Sequence, residues 1–176
     1  MTKLQTILIT GVAGFIGQNL CETLLNLNKN IIGIDNFLSS KKENIKKFTT
    51  NKNFRFIEHD VRMPLSINEK IDLIINLACP ASPPWYQKYP IETWETSVFG
   101  VKNLVDLAVS NKATLIHAST SEVYGDPLKS PQDEKYFGNV NPIGIRSCYD
   151  EGKRAAESYL MDIARLNKSN IKIIRI

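Results

Sequence analysis

The apolar positions of this chain fall into short runs that alternate with longer periodic stretches. Leu4 to Thr10 is a short run rich in β-branched residues and reads as a buried first strand. From Phe15 to Asn28 the spacing becomes helical, and it predicts Ile16, Leu20, Leu24 and Leu27 on one face. Asn30 to Asp35 and Phe54 to His59 read as the second and third strands, with a polar loop and a short helix between them. Ile71 to Ala78 is a fourth buried strand. The proline-rich segment Cys79 to Tyr86 follows. Proline fixes φ and removes a donor, which predicts an ordered loop rather than a helix. Ile91 to Ser110 and Tyr149 to Asn167 are predicted as long helices, and Ala113 to Ser119 and Ile171 to Ile176 as the fifth and sixth strands. Strands alternating with helices imply βαβ units, hence an α/β fold with a doubly wound parallel sheet of Rossmann type.

Bulk properties narrow the class. The 176 residues suit one domain, read here as a single dinucleotide-binding unit over 1–176. Hydrophobic residues make up 43% and charged residues 23%, values of a soluble globular protein. No apolar run reaches the ~20 residues that span a bilayer, and Met1 to Gln5 lacks the pattern of a signal peptide. A cytoplasmic location is therefore the expectation. Cys21, Cys79 and Cys148 are scattered, and His59 and His117 lie far apart, so neither a disulfide framework nor a metal site is expected. Lys41, Lys42, Lys46 and Lys47 form a basic patch without interleaved aromatics, read as a solvated face and not as a nucleic-acid surface. The chain stops at Ile176 at the edge of the last strand, which predicts the front half of a longer protein lacking a C-terminal substrate domain.

Two motifs carry chemistry. Gly11, Gly14 and Gly17 form G-x-x-G-x-x-G after a strand and at the opening of a helix. Glycines there permit a tight turn and close approach of backbone to a pyrophosphate, which the helix start attracts. Asp35 ends the second strand about 18 residues on, close to the ~20-residue spacing of a ribose-binding carboxylate. A carboxylate at that point favours NAD over NADP, while Lys41 and Lys42 argue the other way. Asp60 and Val61 suit the adenine edge, although Asp60 also suits a helix N-cap. Leu77 and Cys79 would line the cofactor with small apolar groups. The second motif is Tyr149 followed four residues later by Lys153, on one helix face, behind the cluster Ser119-Thr120-Ser121-Glu122 at a strand end. An ammonium near a phenol lowers its pKa, so Tyr149 is expected to act as acid and base on an alcohol, with Thr120 holding the same oxygen.

These residues resemble the extended short-chain dehydrogenase/reductase superfamily. Cys79-Pro80-Ala81-Ser82-Pro83-Pro84, Ser119-Thr120-Ser121-Glu122-Val123-Tyr124-Gly125-Asp126-Pro127 and Arg146-Ser147-Cys148-Tyr149-Asp150-Glu151-Gly152-Lys153-Arg154 resemble the UDP-glucuronate decarboxylases (UDP-xylose synthases). The resemblance covers essentially the whole chain. It implies NAD as a tightly bound cofactor, also touched by Phe15, Ile16, Asn36, Phe37 and Thr96. It implies sugar contacts from Pro83, Trp85, Tyr86, Asn103, Ser121 and Arg146. Tyr149, Lys153 and Thr120 would oxidise the sugar at C4. The resulting β-keto acid would lose carbon dioxide, Glu122 would manage the proton at C5 or disfavour the carboxylate, and the hydride would return. A homodimer through the two long helices is also implied. Val12 stands where the family often has glycine, and Glu95 where it commonly has lysine. The alternatives are a nucleotide-sugar 4,6-dehydratase, which resembles this chain but carries aspartate where Ser121 stands, a 4-epimerase, and an NAD-binding fragment without catalysis.

Overall fold

The computed structural model describes residues 5–166 and 168–176. Six strands form one wholly parallel sheet: β1 Thr6–Thr10, β2 Asn30–Asp35, β3 Phe54–Glu58, β4 Leu73–Asn76, β5 Thr114–Ser119 and β6 Asn170–Arg175. Their order is β3-β2-β1-β4-β5-β6, the doubly wound order in which the chain reverses direction between β1 and β4. Registers run Ile9 beside Gly33 on one side and Ile75 on the other, so the strands end together near Thr10, Asp35, Asn76 and Ser119.

Alternation along the central strands builds two cores. Leu8, Ile32, Ile34, Ile74 and Leu115 face one side and pack against Leu104 and Val105 of α4 (Val101–Asn111) and Leu160 of α5 (Ser147–Arg165). Ile7, Ile9, Ile31 and Ile75 face the other side, against Cys21 and Leu25 of α1 (Phe15–Asn26) and Ile45 and Phe48 of a 3-10 turn. Both faces are covered, which is why the strands read as continuous apolar runs.

Three expectations need correction. The buried face of α1 is Gly17, Cys21 and Leu25, while Ile16 and Leu27 are exposed. A β-carbon on Gly17 would lie 2.1 Å from the Gly11 carbonyl, so the helix start is pressed onto the preceding loop and its buried face begins with the small residues Gly17 and Cys21. The proline-rich segment is not a plain loop. Pro83–Lys88 forms helix α2, because prolines occupy its first turn, where no backbone N–H is needed. The long helix predicted over Ile91 to Ser110 is α3 (Pro90–Glu95), a π turn (Thr96–Gly100) and α4 in succession. Such π turns cluster at functional sites. The end predicted at Asn167 lies outside the described residues.

Leu160 is fully buried against the sheet. Leu160→Ala is expected to cost about 2–5 kcal/mol through lost burial and a cavity, read from the urea midpoint.

Candidate active site

The carboxyl ends of β1 and β4 open onto the crevice that doubly wound sheets use for ligands. Two clefts meet there. One, about 70 Å³, is lined by Gly11, Gly14, Asp35, Asn36, Ser40, His59, Val61, Leu77, Cys79 and Thr96. The other, about 340 Å³, is lined by Gly11, Gly14, Phe15, Ile16, Gly17, Leu77, Cys79, Thr120, Tyr149, Lys153 and Ile176. Gly11, Gly14, Leu77 and Cys79 border both, so the clefts adjoin at the glycine loop.

The loop geometry suits a diphosphate. Gly11 has φ +69°, and a β-carbon on it would lie 2.7 Å from the Leu77 backbone. The α1 N-terminus has no side-chain cap and no acidic residue in its first turn, so its N–H groups stay free for an anion. Asp35 is buried at the end of β2. One carboxylate oxygen accepts from the Ala13 N–H, and the other from the Phe37 N–H and the Ser40 hydroxyl. Ser40 and Ala13 were not singled out in the sequence, since neither loop position carries a period or a motif of its own. Lys42 is engaged with Glu58 at 2.8 Å, which takes one lysine away from any phosphate beside Asp35. These features fit an adenosine ribose and a diphosphate.

Asp60 holds Arg62, and Asn36 donates to the same carboxylate. Burial pushes the Asp60 pKa up, but the hydrogen bonds from Arg62 and Asn36 win and hold it below the usual range. Arg62 also donates to Glu95 at 2.8 Å, so Glu95 is bound up in an ion-pair chain. Thr96 borders the cleft, with its hydroxyl on the Glu92 carbonyl. Phe37 packs on Phe56 outside both clefts.

At the other end, Tyr149 is buried under Tyr86, whose ring stacks on it at 5.1 Å. Lys153 sits one helical turn on, with its ammonium 5.9 Å from the Tyr149 ring centroid and donating to the Ala118 carbonyl at 2.7 Å. The expected lowering of the phenol is not found. Burial pushes Tyr149 up to about 12, with the Cys79 thiol acting in the same direction, and hydrogen bonding by Thr120 opposes them. With Lys153 turned to a backbone carbonyl, desolvation of the phenolate dominates. Thr120 also caps the next turn, accepting from the Glu122 N–H at 3.2 Å.

The remaining sugar candidates scatter. Glu122 and Arg146 form an ion pair, and neither is among the cleft-lining residues. Ser121 is exposed, its N–H on the Ile176 carbonyl. Pro83 and Trp85 are exposed on α2, Trp85 stacking on Tyr89, and neither is among the cleft-lining residues. Asn103 is not brought to the site. Its amide holds the Val61 and Arg62 carbonyls, and it lines a separate groove with Leu65 and Ile67. Among the described residues, no group of three or more His, Cys, Asp or Glu could hold a metal, and no helix is long and apolar enough to cross a membrane.

A buried polar ladder lies beneath the site. The Thr10 hydroxyl donates to the Asn76 carbonyl oxygen, and the Asn76 amide meets His117 Nδ1 at 3.0 Å. Because the amide nitrogen must donate, the His117 proton sits on Nε2, which is buried without a partner. Burial, helped by the charge of Lys153, holds the His117 pKa well below its ordinary value.

The sequence profile of the NAD dependent epimerase/dehydratase family matches residues 7–176. The chain belongs to that family. Within curated proteins, this family member is 50% identical over 171 residues to UDP-glucuronic acid decarboxylase 3 of Arabidopsis thaliana, covering 97% of this chain and 49% of that protein. It is 45% identical to UDP-glucuronic acid decarboxylase 1 of Xenopus tropicalis, covering 98% and 40%. The chain thus spans about half the length, or less, of the curated relatives it matches. Among solved structures, a UDP-galactose 4-epimerase superposes with TM-score 0.81 at 26% identity, covering 97% and 55%. The dTDP-glucose 4,6-dehydratase DesIV of Streptomyces venezuelae, solved with NAD, gives 0.83 at 22% over the same shares and shows the fold alone.

Two measurements probe this site. In ultraviolet titration of the ligand-free protein, the Tyr149 phenol is expected to ionise near pH 12, and Thr120→Val to move it higher. Unfolded His117 gains a proton below about pH 6.5 whereas folded His117 does not, so stability falls as pH drops through that value, by up to about 1.4 kcal/mol per unit. His117→Gln should flatten that part of the profile in urea denaturation at pH 5 to 7.

Proposed function

We propose that this chain is the NAD-binding domain of an enzyme that decarboxylates UDP-glucuronate to UDP-xylose through a 4-keto sugar. The observation that carries the reading is the convergence of Tyr149, Thr120 and Lys153 on a cleft that the glycine loop also lines. Relatives about 50% identical over nearly the whole chain that bear the name UDP-glucuronic acid decarboxylase support it.

The cofactor is NAD. Gly11, Gly14 and the α1 N-terminus would hold its diphosphate, Asp35 its adenosine ribose, and Val61 with Asp60 the adenine edge. When bound, its nicotinamide supplies the acceptor, and later the donor, of a hydride. The rest falls to side chains of this chain. Tyr149, once ionised to the phenolate, would take the proton of the sugar 4-hydroxyl, and Thr120 would position that oxygen. Lys153 supplies positive charge beneath the phenol, and Tyr86 excludes water from its face. A carbonyl at C4 places the C6 carboxylate β to it, so carbon dioxide leaves with its bonding electrons drawn toward the carbonyl. Glu122, two residues past Thr120, would govern the proton returned at C5. Ser121 separates this reading from a 4,6-dehydratase, because a serine hydroxyl is too weak an acid to release the 6-hydroxyl. Exposed Ile91, Trp94 and Phe99 on α3 and the π turn, with Met161 on α5, support a homodimer through those helices.

Mass spectrometry of UDP-glucuronate incubated with the NAD-loaded protein tests the reading. Loss of carbon dioxide supports it, loss of water makes the protein a dehydratase, and an isomer of unchanged mass makes it an epimerase. NAD binding without turnover of any UDP-sugar leaves a cofactor-binding unit alone. Where turnover is found, Tyr149→Phe is expected to reduce it by roughly 10²–10⁴-fold.

A further inference from the structure

Asn76 ends β4 at the crevice, and its side chain is buried. The side-chain oxygen accepts from the Thr10 hydroxyl at 2.7 Å and from the Ala78 N–H at 3.2 Å, and the amide nitrogen donates to His117 Nδ1 at 3.0 Å. The bond to Ala78 is an Asx turn, in which a side chain shapes the backbone two residues on. The backbone it shapes is a wall of the crevice. Leu77 and Cys79 border both clefts, and Ala78 borders the smaller one. The same peptide lies against the first glycine of the loop, since a β-carbon on Gly11 would stand 2.7 Å from the Leu77 carbonyl carbon and 2.9 Å from the Ala78 nitrogen. The Leu77–Ala78 peptide is thus held between the Asn76 oxygen and the Gly11 backbone.

We propose that His117 is a positioning residue for the cofactor. By accepting from the Asn76 amide it fixes which way that amide faces, and so where the wall from Leu77 to Cys79 stands against the dinucleotide. The inference rests on the NAD reading of the clefts and is independent of which sugar the enzyme takes.

An amide has a donor end and an acceptor end, and its two orientations fill nearly the same space, so packing alone does not choose between them. Thr10 does not choose either, because a hydroxyl can donate or accept by rotating. His117 does. Without its acceptor the Asn76 nitrogen would be buried unpaired, a cost that turning the amide relieves. Turned about, that nitrogen would find the Thr10 oxygen, but it would also face the Ala78 N–H, and the peptide would have to move away from it. Burial and the charge of Lys153 keep the ring neutral, so Nδ1 stays an acceptor. The histidine takes this role at the expense of its own Nε2, which is buried with no partner. An apolar side chain of similar volume would fill the place without that cost, so filling space does not account for a histidine there.

Two substitutions separate the roles. His117→Asn puts a side-chain oxygen where Nδ1 stood and gives up the rest of the ring, whereas His117→Leu keeps the volume and gives up the acceptor. Each protein is titrated with NADH, followed by emission of the bound reduced nicotinamide. His117→Asn is expected within about 3-fold of the unaltered affinity, and His117→Leu weaker by roughly 10-fold or more. Urea midpoints measured in parallel keep an affinity loss apart from an unfolded fraction. Equal affinities of the two variants, or His117→Asn as the weaker binder, overturn the proposal and leave the NAD reading standing. An unaltered protein that fails to bind NADH overturns both. The unaltered protein also decides the matter by itself if neither variant folds. The chain has 2 histidines, so long-range proton–nitrogen correlation NMR of their rings is readily assigned. His117 is expected with its proton on Nε2 and a bare Nδ1. A proton on Nδ1 would turn the Asn76 oxygen toward the ring and overturn the proposal.

Discussion

The site depends on one close approach: the first turn of α1 lies directly on the carbonyl of Gly11. Only a residue without a β-carbon fits at Gly17, where the added atom would stand 2.1 Å from that oxygen. The contact draws the helix start to the ends of β1 and β4. It leaves a row of free N–H groups facing the crevice and lets Asp35 reach across to the Ala13 N–H. A larger residue at Gly17 would push helix and loop apart, one at Gly11 would push the loop off Leu77, and either would disturb the wall the two clefts have in common.

Electrostatics at the opposite end follow a different logic. Tyr149 is packed under Tyr86 and beside Cys79, surroundings that resist a phenolate, and Lys153 spends its ammonium on a backbone carbonyl. The protein alone therefore keeps the phenol neutral. A cation close to the ring would favour the phenolate, the form that can accept a proton from an alcohol. The buried ladder of Thr10, Asn76 and His117 supports the same region with neutral groups, which spares Lys153 a second positive charge beneath it.

Strand positions were readable because a sheet covered on both faces demands apolar runs, and the boundaries of β2 agree residue for residue. Helix faces were less readable. The stripe of α1 was assigned by its leucines, but close packing on the glycine loop selects Gly17 and Cys21, which a search for large apolar residues overlooks. Proline misled in the other direction at α2, since a helix start tolerates what its interior forbids. Motif spacing found Gly11, Asp35, Thr120, Tyr149 and Lys153, all of which border the crevice. It could not find Ser40, whose role comes from loop shape, or show that Asn103 spends its amide on backbone carbonyls.

The junction of β5, β6 and α5 has a mechanical consequence. The Ile176 N–H reaches the Ser119 carbonyl and the Ser121 N–H reaches the Ile176 carbonyl, so the end of β6 is laced to both sides of Thr120. Arg175 grips Glu157 through two nitrogens and Tyr124 through a third, and Glu157 in turn accepts from the Ser119 hydroxyl. Displacing β6 would carry the threonine with it, so the placement of Thr120 is set by these contacts as much as by the core.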